Sequence, residues 1–248
     1  MKKSTKYFLS GTLILSILFP ISSFAETVSP AVTVPAQSKF CSKFNDISIK
    51  LQDQINNTEK KKKDLEIKNE TKIAEKESAV DAKKAEGRIS ADDKRIKNFD
   101  KTNTKAKTDA QKAAVEVYKK AMTDAVTARR TAVDTAVKTY RDGVSTLMST
   151  KSTDIDSAIA TFKTSISKAT EKANTDCTNK ISNKIVSTEF NNAIKEAKTA
   201  LSTSKKSFSK TAEAKALKAT RDASFKEAEA AFKSATDKAR AELLMAMK

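Results

Sequence analysis

The chain has 248 residues, of which 48 are Lys or Arg and 31 are Asp or Glu; the net charge is +17, and there is no His, no Trp, three Gly and three Pro. That composition excludes His-based acid–base catalysis and a broad aromatic core, and a chain so poor in Gly and Pro is biased towards helix. Both signs of charge are interspersed, as on solvated helical faces, and the positive excess produces a field that attracts polyanions.

Residues 1–25 read as a signal peptide. Lys2, Lys3 and Lys6 form the basic start, Tyr7 to Phe19 is a short apolar run ended by Pro20, and Ser23 and Ala25 are the small residues a signal peptidase reads. The apolar run falls short of the roughly 20 residues a spanning helix needs, and no transmembrane segment is expected after cleavage. Residues 26–39 hold Pro30 and Pro35 and read as an extended leader. The expected location is secreted or periplasmic, in the cell envelope. Export makes the two cysteines meaningful, because in an oxidising compartment Cys41 and Cys177 are expected to form a disulfide. Two Cys without His do not make a four-ligand zinc site, and neither a metal nor a cofactor is expected.

From residue 40 the sequence predicts one helical body in three arms, about 40–99, 108–177 and 184–248. In the first arm Phe44, Ile47, Leu51, Ile55, Leu65, Ile73 and Val80 keep one apolar face. The stripe then breaks: Ile89 falls opposite Val80, Gly87 lies between, and Ser90 with Asp93 resembles a weak capping box. A kink or short capping helix is therefore expected over 87–99, with Ile89, Ile96 and Phe99 as a second stripe. The polar stretch 98–108 reads as a turn. Thr108-Asp109-Ala110-Gln111 is a stronger capping box, with Asp109 placed favourably in the first turn of the next helix.

The second arm carries an eleven-residue rhythm. Met122, Val133, Val144, Ile155, Ile166 and Cys177 form one row; Val115, Val126, Val137, Met148 and Ile159 a second; Ala114, Ala125, Ala136, Leu147, Ala158 and Ala169 a third. Eleven residues is close to three helical turns, so the rows make one nearly straight stripe. A hairpin that joins Cys41 to Cys177 turns midway, near residue 109, where the Thr108 cap stands. Asn174 to Asn183 is a second turn-prone stretch. In the last arm Phe190, Ile194, Ala197, Leu201 and Phe208, and later Phe225, Ala228, Phe232, Ala235, Ala239 and Leu243, are expected in the core, with an interruption possible over the Ser-rich 202–209. The fold class expected is all-α: an elongated antiparallel helical hairpin or three-helix coiled-coil bundle with an eleven-residue (hendecad) repeat.

No Gly-rich phosphate loop or nucleophile elbow occurs, and the carboxylates sit mostly near Lys at helical spacing; no catalytic residue is assigned, and the chain is expected not to be an enzyme. The densest basic spots are Lys60, Lys61, Lys62 and Lys63, then Lys119, Lys120, Arg129 and Arg130, then Lys205, Lys206 and Lys210. They are the candidate contacts to a nucleic acid or another anionic polymer, since Lys and Arg neutralise phosphates without reading sequence. Tyr118, Tyr140 and Phe162 recur at steps of 22, with Arg129 and Lys151 between them. Such a row either offers stacking platforms to bases or covers the edge of the helical seam with rings and long basic stems; the second is favoured.

These Ala/Lys/Thr-rich helical repeats, with two distant Cys behind a signal peptide, resemble secreted helical repeat proteins of small-genome bacteria, a resemblance that implies no function. The basic helical arms are also similar to periplasmic holdase chaperones of the Skp type, although no segment reads as the strands of their assembly core. The eleven-residue repeat resembles that of desiccation-protection proteins, which usually lack so regular a Val/Ile/Met stripe. The expected role is a structural or protein-interaction rod, with a protein partner or self-association through the seam. A polyanion binder and a holdase are the alternatives.

Overall fold

The structure, a computed structural model, describes residues 40–208 and 210–248; the expected signal peptide (1–25) and leader (26–39) lie outside the described residues. The protein is an all-α helical bundle. Its helices are α1 (Phe40–Asn103), α2 (Asp109–Thr178), α3 (Asn183–Ser207) and α4 (Thr211–Ala246), and no strand occurs among the described residues. No helix among them is long and apolar enough to cross a membrane.

The first turn forms where the cap stands. Gln111 N–H donates to Thr108 Oγ1 (3.2 Å), and Gln111 Oε1 accepts from Thr108 N–H (3.3 Å) and Lys107 N–H (2.8 Å), which completes the capping box at the start of α2. At the second turn Ile181 N–H donates to Asp176 O (3.0 Å) and Lys180 N–H to Cys177 O (3.1 Å), with Lys180 at φ 60°. This is a Schellman termination of α2, with a lysine in the left-handed position that glycine fills most easily.

Expectations for α1 and for the phenylalanines of the last arm are corrected. Helix α1 runs unbroken through Gly87, and Ser90 and Asp93 are interior to it rather than a cap. Ile89 and Ile96 are 64% and 55% exposed, so they are no second core stripe. The physical reason is that the inward face changes chemistry beyond Val80: Lys84, Arg88 and Asp92 carry it on by ion pairs with α2, while Gly87 is exposed. The last arm is two helices, interrupted at the Ser-rich stretch where the sequence allowed a break. α3 ends at Ser207, Phe208 N–H caps it by donating to Ser204 O, and α4 begins at Thr211. Of the four phenylalanines expected in that arm's core only Phe190 is buried; Phe208, Phe225 and Phe232 are half-buried. Every residue of the three eleven-step rows on α2 is buried or half-buried.

The chain forms two compact units. The first joins the described residues up to Ile49 with Asp154–Thr211; the second joins Lys50–Thr153 with Ala212–Lys248. In the first, Phe40, Phe44 and Phe190 pack as a triangle with ring centroids 5.4–5.6 Å apart. Ile47, Ile155, Ile159, Phe162, Ile166, Val186, Ile194 and Leu201 extend this core. Beside the rings, Cys41 and Cys177 form the expected disulfide, with Cα atoms 5.6 Å apart. Cys41 N–H, an orphan donor in the first turn of α1, is satisfied by Asn183 Oδ1 at the start of α3 (3.1 Å).

In the second unit α1 and α2 pair antiparallel. The pairs Phe99–Tyr118, Asp92–Arg130, Lys84–Asp134, Asp81–Arg141 and Lys62–Ser152 all have midpoints within two residues of 109. α4 returns antiparallel along α2, with Arg129 meeting Glu229 and Gly143 meeting Leu217. The apolar part of this core is thin: Leu51, Ile55, Ala106, Val115, Met122, Ala125, Ala136, Ala228 and Ala239 are its buried members, with buried Thr236 bonding back to Lys233 O.

Candidate functional site

The densest chemistry of the second unit lies in the seam between α1 and α2. Residues 77, 81, 84, 88 and 92 are three or four apart on α1, so they share one helix face. That face carries Glu77, Asp81, Lys84, Arg88 and Asp92, and α2 sets Arg130, Asp134 and Arg141 against it. Three guanidinium–carboxylate forks result. Arg88 Nη1 and Nη2 lie 2.9 and 2.8 Å from the two oxygens of Asp134. Arg130 grips Asp92 at 3.0 and 2.6 Å, and Arg141 grips Asp81 at 2.9 and 3.2 Å. Lys84 bridges Asp134 and Asp81, and Arg141 Nε adds Glu77 at 3.3 Å. Paired forks of this kind fix orientation as well as charge, which is the particular use of arginine.

Electrostatically the seam is closed on itself. Hydrogen bonds from Arg141, Arg130 and Arg88 hold the carboxyls of Asp81, Asp92 and Asp134, respectively, below the usual Asp range, against a smaller opposing effect of burial. These carboxylates stay ionised at neutral pH and have no proton to give there. Among the described residues no group of three or more acidic, Cys or His side chains is arranged to hold a metal ion.

The basic spots nominated from sequence scatter over this architecture. Arg130 is part of the seam. Arg129 turns to α4: its Nε is 2.7 Å from Glu229 Oε2 without hydrogen-bond alignment, and its guanidinium lies 5.3 Å from the centre of the Phe232 ring. Lys119 pairs with Glu116 and Lys120 with Asp124, each within its own helix. Lys62 is buried, donating to Ser152 Oγ (2.9 Å) and pairing with Glu66 (2.8 Å). Lys60, Lys61, Lys63 and Lys206 are exposed, and Lys205 and Lys210 are half-buried. Burial pushes the Lys205 ammonium below the usual lysine range. The structure therefore brings Arg129 and Arg130 to opposite neighbours, and of the nominated residues Lys60, Lys61 and Lys63 stay together as an exposed basic group.

The ring-and-cation row is internal packing. Tyr118 meets Phe99 edge-on at 5.9 Å, Tyr140 lies under Arg221 at 4.7 Å, and Phe162 is buried. None of these rings is left as an open stacking platform. Arg88, Arg141, Asp81, Asp92 and Asp134, the heart of the seam, were missed from sequence because each reads as one more solvated helix charge. A usable signal existed, since reflecting the chain about residue 109 places Arg141 on Glu77 and Asp134 on Lys84. Comparison with protein-family models, with curated proteins and with solved structures finds no match.

Proposed function

We propose that this chain is a non-enzymatic helical scaffold, exported to the cell envelope, that presents helix faces to protein partners. One observation carries the reading: at least five of the eleven basic residues nominated as polyanion contacts already have an acidic partner in the chain. Arg129, Arg130, Lys62, Lys119 and Lys120 all have acidic partners in the chain itself. Arg130, held in a fork by Asp92, cannot also neutralise a phosphate without giving up that fork.

The test is a salt series with the oxidised, exported protein against DNA and an anionic wall polymer. The expected result is binding at low salt that disappears by about 0.15 M, matched by a scrambled helical control of equal charge. Tight binding that persists there beyond the control overturns the reading in favour of a polyanion binder. The exposed group Lys60, Lys61 and Lys63 favours that second reading, and Lys→Glu changes there would then abolish binding. Suppression of client aggregation at stoichiometric ratio, read by light scattering, would instead favour a holdase.

A further inference from the structure

Helix α1 carries a second eleven-residue pattern that nothing described here covers. Its rows are Lys60–Thr71–Ala82–Asp93, Lys63–Ala74–Ala85–Ile96 and Ile67–Ser78–Ile89–Asp100. All twelve residues are exposed, and the three isoleucines are 53%, 64% and 55% exposed. From Ile67 to Ile89 the line is free of charge, although the segment around it is dense in Lys, Glu, Asp and Arg. Solvation alone does not empty one helix face of charge over six turns; a seat for another helix does.

The ends of the line say what sits there. It is basic at its N-terminal end, Lys60 and Lys63, and acidic at its C-terminal end, Asp93 and Asp100. An identical line running the opposite way brings a basic end to an acidic end. Reversed about residues 81 and 82, the line sets Lys63 against Asp100 of the second copy and Ile67 against Ile96 of the second copy. Ala74 then faces Ile89 of the second copy, a small residue opposite a large one. A twofold axis repeats every contact.

We propose that α1 pairs antiparallel with α1 of a second copy along Ile67, Ile89 and Ile96. The proposal rests on the scaffold reading and names its first partner as the chain itself. Sedimentation velocity of the oxidised, exported protein is expected to show a monomer–dimer equilibrium below roughly 0.1 mM. Ile89→Asp, at an exposed position and with unchanged helical circular dichroism, is expected to raise the dimer Kd at least about tenfold. Lys63→Asp reverses two symmetry-related pairs and is expected to raise it roughly tenfold. Adding Asp100→Lys is expected to restore it to within about threefold of the parent. Lys63 and Asp100 stand at opposite ends of the line, so only an antiparallel copy explains that rescue. A monomer at every concentration, a dimer indifferent to Ile89→Asp, or a failed rescue overturns the proposal. So does a photo-crosslinker at position 82 that captures a different protein instead of a second copy. A monomer leaves the scaffold reading standing, because the polymer-binding series tests that separately.

Discussion

Phe40, Phe44 and Phe190 close the core of the first unit beside a disulfide, whereas Arg88, Arg130 and Arg141 close the α1–α2 seam of the second with carboxylates. The same helices supply both. In the first unit α1 and α2 present large apolar side chains, and burial of rings and branched aliphatics supplies the cohesion. In the second, beyond Leu51 and Ile55, they present mostly small apolar side chains and charge, so the helices are held by a thin apolar line and by half-exposed forks. Forks of this kind contribute little net stability each but fix which residue faces which, as a registry device. The first unit is thus built for strength and the second for register.

Four measurements break or sharpen this contrast. The largest effect belongs to the disulfide, which closes a loop of 136 residues. Its loss by reduction or by Cys41→Ser is expected to cost roughly 5 kcal/mol in the chain-entropy model. Hydrogen exchange should show the loss first over residues 160–200. A melting temperature that reductant leaves unchanged would remove the distinction between the units.

Next comes the ring triangle. Phe190→Ala is expected to destabilise by about 3–5 kcal/mol, against at most about 1 kcal/mol for Arg141→Ala, whose guanidinium is partly solvated. Equal costs in urea unfolding would mean that the seam is a strength element after all.

Third is acid. Folding lowers the carboxyl pKa of Asp81, Asp92 and Asp134 through their arginine partners. The forks therefore contribute fully above the ordinary Asp value of about 3.9 and lose that contribution as pH falls through the lower folded values. Amide exchange in residues 77–141 should accelerate over that window before exchange in the ring triangle does. One molar salt at neutral pH should loosen the same segment modestly.

The smallest effects separate two glycines. A Cβ at Gly87 meets nothing within 4 Å, so Gly87→Ala is expected to stabilise by about 0.5–1 kcal/mol. A Cβ at Gly143 would stand 2.7 Å from Leu217 Cδ2, where α4 comes close to α2. Gly143→Ala must displace that side chain and should gain less or lose stability, which thermal melts of the two variants would read directly.

Much of this was legible in the residues. Local signals suffice for a helix and for a cap such as Thr108 with Gln111, because each depends on spacing along a single helix. The two cysteines supplied the one long-range constraint, and their midpoint located the turn. The stripe from Phe44 to Ile55 is a local pattern too, and it is buried as its spacing predicts.

The continuation of α1 through Gly87 was not legible, because an ionic stripe in place of an apolar one looks like the end of a helix. Nor could spacing distinguish Asp81, Asp92 and Asp134 from ordinary surface acids: what sets them apart is the arginine on the opposite helix. Composition and periodicity by themselves determined the helical class and the first turn, since these follow from backbone preference and local spacing, and the two cysteines of a chain read as exported pointed to the disulfide. Only the tertiary structure decided which charges are joined in the seam, which phenylalanines are buried, and that Ile67, Ile89 and Ile96 are left exposed, because a side chain's surroundings are set by the neighbouring helix and not by its own.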